Sequence, residues 1–400
     1  MSQSILVLNA GSSSIKFALF TIGADGQMTE ASRGQIEGIG TAPHFLAPHF
    51  LAKNAAGDVL VDQSWPQNAE QTHETLLDGL LDWIETHPGG ESLAAIGHRV
   101  VHGGSAHDKP ARVTPDLLAA LAHLTPLAPL HEPHNLAPIL AIAASRPELP
   151  QVVCFDTAFH HAMPTVATRF ALPREFEADG VRRYGFHGLS YEFIACELRQ
   201  RAPNLASGRV IAAHLGNGAS LCAMLNGRSV DTTMGFTALD GLMMGTRCGS
   251  IDPGVLLYLQ QQRGMTVQQV EDLLYRRSGL LGVSGIGSDM RVLLESPDKR
   301  AREAIELFVF SIARQAGALA STLGGLDGFV FTAGIGEHAA AIRTAVCQRL
   351  AWLGIRLDPI SNQRPAGVIS APDSQVAVWV ISTDEEAMIA RHTIEILGSL

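Results

Sequence analysis

Short apolar runs and longer amphipathic segments alternate along the chain, a pattern that is typical of α/β proteins whose sheets are covered by helices. The apolar runs predict strands at residues 5–8, 95–101, 152–155, 210–214, 328–332 and 376–381. Helical patterning predicts helices at residues 74–85, 115–124, 190–201, 267–277, 301–323 and 385–397. We interpret a tandem Pro-His-Phe-Leu-Ala at residues 43–47 and 48–52 as a local loop duplication, because it is short and occurs once.

The composition limits the class of protein. The chain has 400 residues with 46% hydrophobic content, which favours two domains with sizeable cores. A net charge of −10 without clustered Lys and Arg argues against nucleic acid or an anionic membrane as a partner. No apolar run approaches transmembrane length and the first residues form no export signal, so we expect a cytoplasmic protein. Five scattered cysteines without C-x-x-C spacing predict neither disulfides nor structural zinc.

Residues Asn9–Lys16 lie between two apolar runs, which predicts a strand–turn–strand hairpin with Gly11 at its tip. Ser12, Ser14 and Lys16 would offer a phosphate hydrogen-bond donors and a positive charge. The turn is not a P-loop, because the chain contains no G-x-x-x-x-G-K-[ST]. An ordinary Ser-rich turn is the alternative that this stretch alone leaves open.

A second Gly-rich hairpin is predicted at residues 211–225, with His214–Ser220 around its tip. Two such tips could hold a polyphosphate from opposite sides. Residues 334–339 match G-x-G-x-x-A between an apolar strand and a helical run at 340–350, where a helix N-terminus suits a nucleotide. A Rossmann domain is disfavoured, since too few residues follow this match to complete one.

These stretches and several others resemble, in order and from end to end, the acetate and propionate kinase family. The two signature-like regions are residues 7–16 and 183–188, and further family-like blocks are residues 98–104, 155–160, 214–220, 231–237, 245–247, 288–291 and 331–337. The resemblance implies two actin/hexokinase-like (ribonuclease H-like) βββαβαβα domains with a nucleotide cleft between them. It places residues 1–158 and 387–400 in the first domain and residues 159–386 in the second.

The activity implied by the resemblance is a reversible, magnesium-dependent transfer of the ATP γ-phosphoryl group to acetate, giving acetyl phosphate and ADP in one in-line step. Propionate kinase activity is the alternative, manganese could replace magnesium, and a homodimer is expected. Acetate and the phosphoryl group are both anions, so their repulsion has to be neutralised locally. A guanidinium stays charged and grips a carboxylate or phosphoryl group with two donors.

The family motifs assign roles to four residues of this chain. Arg99 is implied as a substrate-binding residue, and Asp156, His187 and Arg247 are implied as catalytic. His187 would donate a hydrogen bond to the phosphoryl oxygens in the transition state. Acetate carries no proton at neutral pH, so we interpret Asp156 as an organiser of magnesium water and substrate. A surface ion pair, or a core histidine, is the ordinary alternative for such residues outside these motifs.

Magnesium takes few protein ligands and prefers hard oxygen atoms, which Asn9 and Glu385 would supply. Glu385 also reads as a first-turn helix residue after a cap in residues 382–384, and both roles are compatible. The residues expected to line the nucleotide are Ser12, Ser14, Lys16, His214, Leu215, Gly216, Asn217, Gly218, Asp289, Met290, Arg291, Gly334, Ile335, Gly336, Glu337 and His338.

The resemblance places the methyl group of acetate against Val101, Leu130, Phe186 and the residue after Thr237. That last residue is Ala238 where the family usually has proline. A smaller side chain leaves room for one more methylene, whose burial is worth about 0.8 kcal/mol. We therefore expect detectable activity with propionate.

Two other classes of protein compete with the kinase interpretation. Sixteen histidines and the run at residues 131–134 would suit a metallohydrolase, but Pro133 interrupts a helical H-x-x-H face and no H-E-x-x-H occurs. A non-catalytic nucleotide-binding module of the actin type is the second rival. Such a module has no need for both Arg99 and Arg247.

Overall fold

The computed structural model describes residues 3–11, 14–39, 48–65, 73–87, 92–128, 132–364 and 366–398. The chain divides into two compact units. Unit 1 consists of Met1–Ala158 and Asp384–Leu400, and unit 2 consists of Phe159–Thr383. The chain thus returns to unit 1 at Asp384, whereas the sequence placed this return at residue 387.

Each unit contains one β-sheet. The strands of unit 1 are β1 (Gln3–Ala10), β2 (Ser14–Ile22), β3 (Met28–Glu37), β4 (His49–Asn54), β5 (Val59–Ser64), β6 (Ser92–Val100), β7 (Ala111–Arg112) and β8 (Gln151–Phe155). The strands of unit 2 are β9 (Arg209–Leu215), β10 (Ala219–Leu225), β11 (Arg228–Thr232), β12 (Gly328–Thr332), β13 (Gly367–Val368) and β14 (Ala377–Val380).

Helices connect and cover these strands. They are α1 (His73–Thr86), α2 (Pro115–Ala122), α3 (Glu132–Ser145), α4 (Thr165–Thr168), α5 (Arg174–Ala178), α6 (Gly188–Arg201), α7 (Pro203–Ala206), α8 (Pro253–Gln261), α9 (Val267–Arg276), α10 (Gly279–Ser284), α11 (Met290–Glu295), α12 (Lys299–Leu323), α13 (Ala333–His338), α14 (Ala340–Arg349) and α15 (Glu385–Leu397). Short 3-10 turns lie at Thr125–Leu127, Ala158–His160, Ala351–Leu353 and Ser361–Gln363.

The two sheets share one topology. The unit 1 sheet has the order β5-β4-β3-β2-β1-β6-β8-β7, and the unit 2 sheet has the order β11-β10-β9-β12-β14-β13. In each sheet an antiparallel meander (β1–β3, β9–β11) is followed by two further strands that run parallel to its first strand. Parallel neighbours need a crossover connection, which the intervening helices provide. The predicted α/β class with two actin/hexokinase-like domains is confirmed.

The apolar run at the start of the chain is buried on both faces of its sheet. On one side Leu6, Leu8 and Phe17 join a core with Leu80 of α1. On the other side α15 packs against β1, β6 and β8. A strand covered on both faces has no polar face to alternate with the apolar one, which explains why β1 reads as a continuous apolar run.

Helix α12 has 25 residues and is the one described helix that is long and apolar enough to cross a membrane by length and composition. The sequence expectation that no segment approaches this length is therefore corrected. Asp298 caps the helix at its start, and Gly324 ends it in the left-handed conformation. Its buried residues include Phe308 and Ile312, and the helix packs against β9 and β10 within unit 2. These contacts are those of a core helix.

The interpretation of the duplicated segment as loop sequence was wrong for its second copy. Most of residues 48–52 lies in β4, where Phe50 and Ala52 are buried and Leu51 between them is half-buried. This alternation over so few residues is a strand pattern that a short duplicated unit obscured. The first copy lies outside the described residues.

Glu132 begins α3 and is fully buried. Within the described part of the chain neither carboxyl oxygen makes a well-formed hydrogen bond, and the backbone N–H of His102 is only a weak partner. Burial raises the pKa of Glu132 to about 8, although the backbone N–H of His102 opposes this shift. A carboxyl group in this position is uncharged at neutral pH, because burial disfavours its anion.

We expect Glu132 to make the protein less stable as the pH rises from 7 to 9. Its pKa is higher in the folded state than in the unfolded state, so the stabilisation is complete below about pH 4.5 and is lost as the pH passes 8. In urea unfolding, the free energy of unfolding of the natural protein should fall relative to Glu132→Gln by on the order of 1 kcal/mol across this range. Parallel pH curves for the two proteins would contradict the assignment.

Candidate active site

One cluster of predicted site residues lies at one edge of the unit 1 sheet. Asn9 is near the end of β1, Arg99 is near the end of β6, and Asp156 directly follows β8. These three strands are parallel, so their carboxyl ends meet at the same edge of the sheet. Glu385 is the first residue of α15, which packs against all three strands. We call these four residues the arginine cluster.

Arg99 holds the arginine cluster together. Its Nε donates to Asp156 Oδ1 at 2.9 Å, and its Nη2 donates to Asp156 Oδ2. Its Nη1 donates to Asn9 Oδ1 at 3.1 Å, and its Nε lies 3.8 Å from Glu385 Oε2. A guanidinium has five N–H donors, and the described residues use three of them, which leaves two for a ligand within that part of the chain.

The charges of the arginine cluster are not balanced. The Asp156 side chain is 1% exposed and the Glu385 side chain is 16% exposed, so two largely buried carboxyl groups share one guanidinium. Burial raises the pKa of Glu385 to about 7, Arg99 opposes this shift, and Asp156 adds to it. Burial would lower the pKa of Arg99, but Asp156 and Glu385 outweigh burial and raise it. The cluster therefore favours a bound cation with oxygen ligands.

The capping role of the segment before α15 is visible in the structure. Asp384 is the N-cap, and its Oδ1 accepts a hydrogen bond from the backbone N–H of Ala387 at 2.9 Å. Glu385 follows in the first helical turn, where a negative charge interacts favourably with the helix dipole. The same turn brings its carboxyl group near Arg99, and the metal-binding role of Glu385 stays a prediction.

A separate polar cluster lies in unit 2, around His187. This residue is the N-cap of α6 and has a φ of 58°, a left-handed conformation that is strained for a side chain of this size. Its Nδ1 lies 2.9 Å from Ser220 Oγ. Its ring stacks on His214, with ring centroids 4.1 Å apart and planes 15° apart. We call His187, His214 and Ser220 the histidine cluster.

The turn between β9 and β10 lies next to the histidine cluster. Gly216 N–H donates to Gly218 O at 3.1 Å and closes the turn. A Cβ atom at Gly218 would lie 3.2 Å from His187 Nε2 and 3.8 Å from Arg247 Nη2. Arg247 is held by the carbonyl oxygen of Ala238, to which its Nη1 donates at 2.8 Å. A glycine at the tip thus brings the backbone close to an imidazole and a guanidinium.

The predicted nucleotide segments His214–Gly218 and Gly334–His338 lie beside one another. Strands β9 and β12 are parallel, and His214 pairs with Thr332 in their register, so both segments leave the sheet at the same edge. The sequence predicted a helical run at residues 340–350, and α14 confirms it, but no helix was predicted within residues 334–339. Helix α13 already begins at Ala333, whose φ of 63° makes the sharp turn out of β12. Helix propensity cannot predict a helix that starts this way, because alanine seldom adopts a left-handed backbone conformation.

The other predicted ligand-binding residues lie in several elements. Lys16 on β2 is exposed and pairs across the first hairpin with Asn9, while Ser14 O accepts a hydrogen bond from Gly11 N–H at 2.8 Å. Asp289 caps α11 and forms an ion pair with Arg291, with Oδ2 and Nη2 2.6 Å apart. Met290 between them is buried. The expected residues Ser12 and Leu130 lie outside the described residues.

Two residues of the predicted methyl pocket are buried. The backbone N–H of Val101 in unit 1 donates to Asn135 Oδ1 at 2.9 Å. In unit 2 the Phe186 carbonyl accepts a hydrogen bond from His160 Nε2 at 3.0 Å. Buried polar side chains thus fix the backbone at Val101 and at Phe186.

The sequence did not single out the side chains that hold the predicted site residues. Asn135 also donates to Ala10 O at 2.6 Å and so ties β1 to the segment after β6. Ser220 and Tyr191 lie next to His187, and Tyr191 Oη is 2.5 Å from Ser220 Oγ. Ser220 closes the Gly-rich run at residues 214–220, which is the one signal that could have identified it. The role of Tyr191 depends on how α6 packs against β10, and no local pattern shows this.

Comparisons with known proteins agree on one family. A model of the acetokinase family matches residues 4–391. The acetate kinase of Rhodopseudomonas palustris is 57% identical over 98% of each chain, and that of Nitrobacter hamburgensis is 49% identical over 99% of this chain and 96% of the relative. The crystal structure of Porphyromonas gingivalis acetate kinase is similar with a TM-score of 0.87, at 36% identity over 99% of this chain and 100% of that one. A propionate kinase from Francisella tularensis has a TM-score of 0.88, at 36% identity over 98% of each chain.

Removal of the Arg99 guanidinium should destabilise unit 1 strongly. Arg99→Met leaves Asp156 buried without a counter-charge, which costs about 3 kcal/mol in the free energy of unfolding. Asp156→Asn in the same chain should recover part of this loss, since it removes the orphaned charge. Urea unfolding of both variants measures the effect. Arg169→Met is the matched control, because Arg169 is 42% exposed in its ion pair with Glu177 and should cost less than about 1 kcal/mol. Equal losses for Arg99→Met and Arg169→Met would contradict the prediction.

Proposed function

This chain belongs to the acetokinase family, and from that membership we propose that it transfers the γ-phosphoryl group of ATP reversibly to acetate, giving acetyl phosphate and ADP. It is a phosphotransferase with a carboxyl group as acceptor. The observation that carries this proposal is the arginine cluster, in which Asp156 and Asn9 fix Arg99 and two of its N–H groups have no partner among the described residues. Two guanidinium donors fit a carboxylate or a phosphoryl group, and acetate is the carboxylate of this reaction.

Arg99 binds and orients acetate in this mechanism. An oxygen atom of the acetate carboxylate attacks the γ-phosphorus in line, while the bond from that phosphorus to the oxygen that bridges to ADP breaks and its electron pair leaves with ADP. Acetate needs no general base, because its carboxylate carries no proton at neutral pH. Asp156 accordingly keeps Arg99 in place and charged, and its remaining lone pairs are available to water.

His187 and Arg247 stabilise the phosphoryl group during transfer. Both side chains flank the Gly216–Gly218 turn, where backbone N–H groups suit phosphate oxygens. Negative charge spreads over the equatorial oxygens of the transferring group, and donors already fixed in place stabilise it without reorganisation. The stacking of His187 on His214 and the hydrogen bond from Arg247 to the Ala238 carbonyl provide that fixation.

The arginine cluster fits a magnesium ion, with manganese as a substitute. Asn9 and Glu385 offer hard oxygen atoms, and two carboxyl groups beside one guanidinium leave negative charge to be neutralised. Among the described residues no group of three or more His, Cys, Asp or Glu could hold a metal by itself, which suits a metal that shares its ligands with phosphates and water. A magnesium ion held by Asn9 and Glu385 would supply positive charge that offsets the negative charge of the ATP phosphates.

We also propose that the protein is a cytoplasmic homodimer. Large exposed apolar residues lie on several helices of unit 2, and Val283, Leu307 and Phe310 line one groove of about 500 Å³. Exposed apolar surface of this kind marks sites of protein association. A second copy of the chain is the occupant that we assign to this face.

Loss of Arg247 should abolish turnover and leave ATP binding intact. Arg247→Ala removes a cation that stabilises the transition state, so kcat should fall by about 10³ or more. Arg99→Ala should raise KM for acetate and lower kcat, again with ATP binding retained in equilibrium dialysis. Arg356→Ala, which removes an exposed arginine, is the control and should behave like the natural protein. Normal turnover of acetate by the two site variants would favour a non-catalytic nucleotide-binding module.

Propionate should be a measurable substrate because position 238 is alanine. A coupled assay of ADP formation with acetate, propionate and butyrate, with and without magnesium, tests the reaction and the pocket together. Ala238→Pro should lower kcat/KM for propionate relative to acetate by about fourfold, the equivalent of one buried methylene. If acetate exceeds propionate several thousandfold in the natural protein, the pocket is not wider.

The dimer is tested by sedimentation equilibrium. The natural protein should have twice the chain mass of 42.6 kDa. Leu307→Glu combined with Phe310→Glu should give a monomer, because two charges would be buried without partners. A monomeric natural protein at micromolar concentration would refute the proposed interface.

A further inference from the structure

Tyr191 forms the far end of a chain of hydrogen bonds that reaches His187. Tyr191 lies one turn into α6, where its backbone N–H donates to His187 O at 3.1 Å. Its side chain is fully buried, and its hydroxyl oxygen lies 2.5 Å from Ser220 Oγ. Ser220 is also fully buried, and its Oγ lies 2.9 Å from His187 Nδ1. The buried Ser220 hydroxyl thus connects the phenol of Tyr191 to the imidazole of His187.

We call this chain of hydrogen bonds from Tyr191 through Ser220 to His187 the relay. Its donors and acceptors follow from the state of the phenol at its far end. Burial raises the pKa of Tyr191 well above its usual range, so the phenol keeps its proton at any working pH. The one described group at hydrogen-bond distance from the phenol oxygen is Ser220 Oγ. The protonated phenol therefore donates to Ser220 Oγ, because a buried hydroxyl that donates to no acceptor is costly. Ser220 in turn donates to His187 Nδ1.

An imidazole that accepts a hydrogen bond at Nδ1 carries its proton at Nε2 when it is neutral. The Nε2 atom of His187 is the ring atom that lies beside Gly218. The plane of the ring is fixed independently, because His187 stacks on His214, whose own Nδ1 lies 2.8 Å from Ser190 Oγ. Packing therefore fixes the orientation of the imidazole, and the relay fixes its tautomer.

We propose that Tyr191 is a positioning residue for phosphoryl transfer: acting through Ser220, it holds His187 in the tautomer whose Nε2–H faces the Gly216–Gly218 turn. This inference rests on the proposed function, because the tautomer fixed by Tyr191 gives His187 the Nε2–H that it donates to the phosphoryl oxygens. Without the phenol, the Ser220 hydroxyl turns freely and accepts a hydrogen bond from Nδ1–H. A fraction of His187 then carries its proton on Nδ1, and the unprotonated Nε2 repels a phosphoryl oxygen instead of binding it.

The competing role for Tyr191 is a purely structural one. Its ring makes edge contacts with His160 and His214, at centroid distances of 5.6 Å and 6.4 Å, and so fills space beneath α6. Tyr191→Phe keeps this ring and removes the hydroxyl alone. A structural role would lower stability without changing the kinetics of the folded enzyme, whereas a positioning role lowers kcat.

The kinetic test compares Tyr191→Phe, Ser220→Ala and the double variant. Each single variant should lower kcat by about tenfold and leave KM for ATP and for acetate within about twofold, because the lost interaction belongs to the transition state. The double variant should be no slower than Ser220→Ala alone, since both changes break the same relay. Tyr184→Phe is the matched control, because it also removes a phenol hydrogen bond, the one of 2.8 Å to Gly180 O, away from this relay. Equal kcat values for Tyr191→Phe, Tyr184→Phe and the natural enzyme would overturn the proposal.

The spectroscopic test needs neither substrate nor activity. In protein labelled with ¹⁵N-histidine at about pH 8, His187 should show a protonated Nε2 and an unprotonated Nδ1, and its signals are identified by their loss in His187→Gln. Tyr191→Phe and Ser220→Ala should shift both nitrogen signals toward an average of the two tautomers. A natural protein with the proton on Nδ1 would refute the relay even if the enzyme transfers phosphate. Absence of acetate-dependent turnover in the natural protein would instead refute the proposed function.

Discussion

Two negative charges must approach each other in this reaction, and the structure depends on cations that are held ready for them. Arg99 is the clearest case, because its position and its charge are both set by Asp156. A guanidinium tied to a buried carboxylate cannot move away and cannot lose its proton. The same pair also matters for folding, because loss of either partner would leave the other as an unpaired buried charge. Stability and chemistry are therefore coupled at this edge of the unit 1 sheet.

The repeated sheet topology explains why the polar residues lie where they do. In both units the first strand turns back through a Gly-rich hairpin, and a parallel strand ends beside it. Functional side chains can then sit at the carboxyl ends of neighbouring strands while the strands themselves stay apolar. Asn9, Arg99 and Asp156 follow this rule in unit 1. His214 follows this rule in unit 2. There the strained turn at Ala333, directly after β12, starts the helix beside the second hairpin tip.

The sequence predicted much of this arrangement, because apolar runs fix the buried strands and the turn residues mark their ends. The fold class was confirmed, and β12 and α15 have the bounds that the pattern predicted. The roles of the individual site residues stay predictions. The sequence missed what depends on register and packing. The buried Glu132, the start of α13 and the relay from Tyr191 to His187 each depend on contacts between segments distant in sequence or on a strained backbone. The strand β4 was missed because a short duplication hid a four-residue alternation.

The stereochemistry of phosphoryl transfer tests the central claim most directly. ATP whose γ-phosphorus is made chiral with sulfur and oxygen isotopes is converted with acetate, and the configuration of the product is determined. One direct displacement onto the carboxylate oxygen inverts the configuration at phosphorus, and this is the result that the account predicts. Retention would require a phosphorylated enzyme intermediate, and a site built to bring two anions together would then be the wrong description of this protein.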